Sequence, residues 1–129
     1  MYGFNVKFSG TFDQAVQRVT DELRKEGFGV LTEIDVQATM KKKLDIDRTP
    51  YKILGACNPT LAHQALSADP DIGLLLPCNV VVRADEDGAV TVGFMDPAAV
   101  LQLVEKEGVA KLAEEVRARL ERVSAAVSS

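Results

Sequence analysis

Apolar and polar residues alternate over two short segments near the start of the chain, a pattern typical of strands with one buried face. These segments are residues 2–8 and residues 28–34. The side chains predicted to share a face are Tyr2, Phe4, Val6 and Phe8 in the first segment and Phe28, Val30, Thr32 and Ile34 in the second. We therefore predict two half-buried strands, each of which packs one row of side chains against a core.

Between these strands the apolar residues recur every three or four positions, which predicts an amphipathic helix over residues 12–26. Thr11 and Gln14 have the spacing of a capping box, and Gly27 is a residue type that readily ends a helix. A shorter helix is predicted after Asp35, whose side chain can cap it. The apolar stripe of this second helix is Val36, Met40 and Leu44.

The middle of the chain, from Tyr51 to Val82, holds both cysteines, the only histidine and two Cys-Asn dipeptides. A strand is predicted over residues 51–57. Asn58 can cap the helix that follows, and Pro59 suits its first position, where a missing N–H costs nothing. The motif Asp69-Pro70-Asp71 then ends that helix.

In the last third of the chain, the sequence pattern predicts a β-hairpin followed by a helix. A Val-rich strand over residues 78–83 leads into a turn at residues 85–88, and a second strand returns over residues 90–94. Asp96-Pro97 repeats the cap-plus-proline signal. A C-terminal helix is predicted over about residues 108–127, lying on the sheet or on a partner subunit.

Together these elements predict an α+β fold in a single two-layer domain spanning residues 1–129, with a core over about residues 2–101. The sheet is expected to have about five strands, mixed or antiparallel, with the helices packed on one face. The long connection between the strands 51–57 and 78–83 allows either a parallel or an antiparallel arrangement of the two. That arrangement decides whether Cys57 and Cys78 lie at the same end of the sheet.

Composition excludes several classes of function. The formal charge is −4, and the one dense basic run is Lys41-Lys42-Lys43, so nucleic-acid binding is not expected. Without an apolar run of about 20 residues or a secretory signal, we expect no membrane interaction and a cytoplasmic location. Two cysteines in such a chain are expected to be reduced thiols.

Several short sequence motifs resemble those of the small bacterial and archaeal family known as domain of unknown function 302. They are Tyr51-Lys52-Ile53-Leu54-Gly55-Ala56-Cys57-Asn58-Pro59, Leu76-Pro77-Cys78-Asn79-Val80-Val81-Val82, Glu33-Ile34-Asp35-Val36, Met40-Lys41-Lys42-Lys43-Leu44 and Asp96-Pro97. The resemblance covers about residues 3–101. It implies a compact α+β domain that forms a homodimer and has no assigned activity.

Cys57 is the clearest candidate for chemistry, because it precedes a predicted helix whose free N–H groups could stabilise a thiolate. A small buried side chain at a strand end is the alternative. Cys78 follows Pro77 at the start of a strand, and the sequence predicts no helix N-terminus beside it that could stabilise a thiolate.

The remaining candidates are His63, Asn58 and Asn79. His63 is predicted at the rim of its helix, where it could serve as a base near Cys57, and the two cysteines with His63 do not have the spacing of a metal site. The amides of Asn58 and Asn79 could hold a polar ligand group if they converge. We expect neither a metal nor a cofactor, and no recognisable catalytic set is present.

Three hypotheses for function remain open. The first is a non-enzymatic dimer that binds a small ligand in a pocket whose wall carries Cys57, Asn58, Pro77, Cys78 and Asn79. The second is a thiol-dependent enzyme or redox sensor that uses Cys57. The third is a purely structural or interaction protein, in which these residues serve only turns and packing.

Overall fold

A computed structural model describes residues 1–128 as one five-stranded sheet with helices. The strands are β1 (Gly3–Phe8), β2 (Gly29–Asp35), β3 (Tyr51–Cys57), β4 (Cys78–Ala84) and β5 (Val90–Met95). The helices are α1 (Phe12–Lys25), α2 (Val36–Leu44), α3 (Pro59–Ala68), α4 (Pro97–Val100) and α5 (Val109–Val127), with 3-10 turns at Pro70–Leu75 and Leu101–Leu103. The strand order is β1-β5-β4-β3-β2, and every neighbouring pair is antiparallel.

The main core lies between one face of this sheet and the two long helices. Alternate strand residues supply the sheet side of the core, among them Leu54, Ala56, Val80, Val82, Val92 and Phe94. Helix α1 contributes Ala15, Val19 and Leu23, and α5 contributes Leu120, Val123 and Val127. The predicted α+β fold with helices on one face is therefore confirmed, and the C-terminal helix packs on the sheet.

Local signals set the helix ends as the sequence predicts. Thr11 and Gln14 form a complete capping box at the start of α1, since each side chain accepts a hydrogen bond from the other residue's backbone N–H. The Asp35 carboxylate accepts from the N–H of Ala38 and caps α2. These contacts satisfy N–H groups that have no partner inside the helix.

The predicted facing of β2 is wrong beyond its second residue. Val30 pairs with Ala56, which faces the helices, but Thr32 pairs with Gly55, which faces away from them. A bulge at Leu31 inserts one extra residue between these pairs and turns the following side chains to the other side of the sheet. Ile34 is consequently half exposed rather than part of the core.

Two further apolar residues differ from their predicted burial. Tyr2 lies just before β1 and is exposed, so the buried row of this strand begins at Phe4. Helix α2 has no buried residue, and Leu44 at its end is exposed. Tyr2 lies just outside β1 and Leu44 is the last residue of α2, so both lie at the ends of elements.

A second buried cluster lies beyond the end of the sheet, where α3, the turn at Pro70–Leu75, α4 and the start of α5 meet. Its buried members are Ala65, Ile72, Leu101, Val109 and Ala113. The gap between this cluster and the main core contains the candidate site described below. Across the described part of the chain, no helix combines the length and apolar character needed to cross a membrane.

Candidate functional site

A largely apolar cavity of about 340 Å³ lies where β3 ends and β4 begins. Four residues singled out from the sequence line it, namely Cys57, Asn58, Pro77 and Cys78. The other large lining residues are Phe28, Leu31, Thr32, Leu61, Leu66, Leu76, Pro97, Leu101, Leu112 and Val116. The cavity is thus walled by the sheet end on one side and by α3, α4 and α5 on the others.

The antiparallel pairing of β3 with β4 brings both cysteines to this end of the sheet. Ala56 pairs directly with Cys78, so Cys57 lies one residue beyond that pair. Because side chains alternate along a strand, Ala56 and Cys78 point to the helix-bearing face and Cys57 points to the other side. Both cysteines are free thiols, Cys78 buried and Cys57 half-buried.

Burial makes these thiols less acidic rather than more. It raises the pKa of Cys57, and it raises the pKa of Cys78 to about 11, with a smaller contribution from the nearby Cys57. A reactive cysteine requires the opposite shift, because the thiolate is the nucleophile. The raised pKa of Cys57 therefore gives no support to the activated thiol that its position before α3 suggested.

Asn58 fixes one corner of the cavity wall. Its Oδ1 accepts a hydrogen bond from the N–H of Leu61 at 3.2 Å, which caps α3 as predicted. Its Nδ2 donates to the carbonyl oxygen of Glu26 at 3.5 Å, and Arg119 Nη1 donates to the same oxygen at 2.9 Å. The amide of Asn58 therefore links the start of α3 to Glu26 at the end of α1, and Arg119 links α5 to the same carbonyl.

Pro77 forms the opposite corner by packing over a strand glycine. A Cβ atom added to Gly55 would come within 2.8 Å of Pro77 Cγ and would also meet Thr32 Oγ1. Only glycine at this position lets Pro77 and Thr32 approach the strand so closely. Gly55 inside the predicted strand thus has a packing role that shapes the cavity.

His63 and Asn79 do not join this site. His63 is exposed on α3 and does not line the cavity, in agreement with its predicted rim position. Asn79 pairs with Gly55 on the face away from α1 and α5, where it lines a separate groove with Asn5, Tyr51 and Arg83. The two Cys-Asn pairs, whose convergence the sequence left open, do not bring their asparagines together, since strand alternation sends Asn79 away from Asn58.

Sequence reasoning did not identify the helical side of the wall. Leu101, Leu112 and Val116 come from the last quarter of the chain, far in sequence from the cysteines. The helical periodicity of α5 indicated an apolar face but did not indicate what that face contacts. Among residues 1–128, no group of three or more His, Cys, Asp or Glu side chains is arranged to hold a metal ion.

Comparisons with known proteins agree with this fold. The family model described as "Domain of unknown function DUF302" matches residues 4–127. The chain is also similar to an uncharacterised conserved DUF302 protein from Bacillus stearothermophilus, whose crystal structure superposes with a TM-score of 0.90. The two sequences are 27% identical, and the match covers 98% of each chain. No curated protein matches the chain.

Proposed function

Because the chain belongs to the DUF302 family, whose function is unknown, we propose from its own geometry that it is a non-enzymatic protein that binds a small ligand. The ligand would occupy the cavity at the end of β3 and β4. The observation that carries this proposal is the cavity itself, a concave apolar space of about 340 Å³ walled by three helices and the sheet end. Ligand sites are typically apolar clefts of about 300–1,000 Å³.

The chemistry of the wall favours binding over catalysis. The nucleophilic side chains that line this cavity are the two cysteines and Thr32; burial raises the pKa of both thiols, and no described residue of the lining is a histidine, carboxylate or lysine that could act as a base for the Thr32 hydroxyl. General acid–base catalysis requires a titratable group within hydrogen-bond reach of the substrate. His63, the residue proposed for that role from the sequence, does not line the cavity. The raised pKa of Cys57 therefore argues against a thiol-dependent reaction there, although this residue precedes α3 and lines the cavity.

The proposal extends to a homodimer, with β2 as the contact between the subunits. β2 is an edge strand that pairs only with β3 among the described residues. Its side chain Ile34, which does not line the cavity, is 49% exposed, and the strand contains neither lysine nor proline. An edge strand presents unpaired backbone N–H and C=O groups that can pair with another strand. The regular part of this edge is residues 32–35, beyond the bulge at Leu31. Antiparallel pairing of β2 with a second copy would join two sheets across a twofold axis.

A cytoplasmic location is part of the same proposal. The two cysteines are free, and free thiols persist in a reducing compartment.

Native mass spectrometry of the purified protein tests ligand binding directly. A retained ligand adds mass to the native species, and that added mass disappears when the protein is denatured. We expect Ala62→Phe, on the cavity wall, to lose the added mass, and Gln64→Phe, exposed on the same helix, to keep it. The proposal fails if neither native mass spectrometry nor an unbiased ligand screen of the wild-type protein finds a bound molecule. That result would favour a purely structural or interaction role.

A further inference from the structure

The wall of the cavity carries no formal charge. Aspartate, glutamate, lysine, arginine and histidine are all absent from its lining among the described residues, although charged residues make up 26% of the chain. An ionised group placed there would lose its hydration without gaining a partner of opposite charge, which is strongly unfavourable. The class of ligand therefore depends on which polar groups remain available.

The polar groups of the wall are already occupied or lie at its edge. Asn58 is buried, and its amide is used by Leu61 N–H and by the Glu26 carbonyl oxygen. Arg119 donates through Nη1 to that same carbonyl, while its Nε is buried without a hydrogen-bond partner, 3.6 Å from Glu115, and Arg119 does not line the cavity. Burial keeps the two cysteine thiols neutral at pH 7. Among the described residues that line the cavity, no buried side-chain nitrogen or oxygen is thus left without a partner to bind a strongly polar ligand.

Size and access set the remaining limits on the ligand. A sealed apolar cavity of about 150 Å³ is large enough for benzene, and this one has about 340 Å³. Leu31 and Leu66 line the cavity and are also 66% and 41% exposed, so they form its apolar rim. A ligand of roughly two fused rings, or an aliphatic group of roughly ten carbons, would fill the space.

We propose that the ligand is a neutral, apolar molecule of this size, which enters over Leu31 and Leu66 and is held by shape and desolvation without a charged partner. This inference rests on the proposed function and narrows it, because a carboxylate, phosphate or sulfonate on the buried part of the ligand is excluded. A polar group of the ligand is accommodated only where it projects past the rim into water.

Two dyes of similar shape and different charge test the inference. N-phenyl-1-naphthylamine is neutral, and 1-anilinonaphthalene-8-sulfonate adds one sulfonate to the same ring system. We expect saturable fluorescence enhancement with the neutral dye and at least about tenfold weaker binding of the anionic dye, since its charge has no partner in the cavity. Binding of the neutral dye should not change between low and high salt.

Variants and a protection assay locate the binding. Ala62→Phe should lower the affinity for the neutral dye by about tenfold or more. The matched exposed variant Gln64→Phe should leave that affinity unchanged. In the wild-type protein, saturating neutral dye should slow alkylation of Cys57. This readout needs no variant, so it remains informative if Ala62→Phe does not fold.

Three outcomes would overturn the inference. Equal affinity for the two dyes, with both lost in Ala62→Phe, would reject the neutral class and leave ligand binding at this cavity intact. If neither dye binds or protects Cys57 from alkylation, the proposal of a neutral, apolar ligand is rejected. Native mass spectrometry then decides separately whether any ligand is bound. Dye affinity that falls as the protein self-associates would show that a second copy fills the cavity instead.

Discussion

Cys57 and Cys78 lie at the same end of the sheet, one register position apart and on opposite sides of it. Their nearness follows from the antiparallel pairing of β3 with β4, which the sequence left open. A disulfide needs Cβ atoms about 3.5–4.5 Å apart and side chains that point toward each other. Neighbouring strand residues that point to opposite faces do not offer this geometry. The two free thiols both line one apolar wall, and this placement does not favour a disulfide between them.

Titration of the two thiols should show both pKa values above the ordinary value of cysteine. Burial favours the neutral form, and we expect Cys78 to ionise near pH 11. Ultraviolet absorbance of the thiolate against pH, measured in Cys78→Ala for Cys57 and in Cys57→Ala for Cys78, gives the two values. A pKa of Cys57 below about 8.5 would indicate an activated thiol and revive the hypothesis of a thiol-dependent enzyme.

Replacing Asn58 should weaken the start of α3. Asn58→Ala removes the oxygen that caps Leu61 N–H, and we expect a loss of about 1 kcal/mol in the free energy of unfolding. Asn58→Asp keeps a capping oxygen and should lose less, although it removes the donor to Glu26. Urea denaturation of the three proteins measures these differences. An Asp variant as unstable as the Ala variant would mean that the contact with Glu26, and not the cap, carries the effect.

A methyl group added at Gly55 should destabilise the protein by about 1–3 kcal/mol, because the new Cβ would overlap Pro77 and Thr32. Gly29→Ala in β2 is the matched control, since nothing lies within 4 Å of its added Cβ. Thermal or urea unfolding compares the two variants. Equal stability of both would contradict the close packing of Pro77 on β3. Ligand binding should fall in Gly55→Ala as well, because Pro77 forms part of the cavity wall.

Acid should weaken the hairpin between β4 and β5. Hydrogen bonds from Thr91, Arg83 and Lys7, in that order of effect, lower the pKa of Asp85 to about 2 from 3.8. A lowered pKa stabilises the folded state above pH 3.8, and this stabilisation disappears as the pH falls toward 2. Asp85→Asn should therefore lower the Tm at pH 7 and reduce its fall between pH 4 and 2. Glu86→Gln, in the same turn, should change neither.

The proposed dimer predicts a change of molecular mass with substitution on β2. Ile34→Lys places a charge on the exposed edge strand outside the cavity wall, and we expect the protein to sediment as a monomer. Leu103→Lys, which alters an exposed leucine away from β2, should sediment like the wild type. Analytical ultracentrifugation over a range of concentrations measures both. A monomeric wild-type protein, or a dimer unaffected by Ile34→Lys, would reject β2 as the contact.

The sequence alone determined those features that depend on neighbouring residues. The capping box at Thr11, the cap at Asn58 and the turn at residues 85–88 each involve residues within four positions, so local chemistry specifies them. The alternation of apolar and polar residues along β1 and the helical periodicity of α1 likewise indicated which faces would be buried. These local signals were sufficient to predict the α+β class and the position of nearly every helix and strand.

Only the tertiary structure decided what those faces meet. The bulge at Leu31 reversed the facing of β2 because pairing with β3 must accommodate one extra residue. Strand pairing placed Asn79 outside the cavity lining, and packing of the turn at Leu101–Leu103 and of α5 brought Leu101 and Val116 into the same cavity wall as the cysteines. Such contacts join residues far apart in sequence, and periodicity reveals that a face is apolar without revealing its partner. The cavity exists because these distant surfaces meet around Cys57 and Cys78 without filling the space between them.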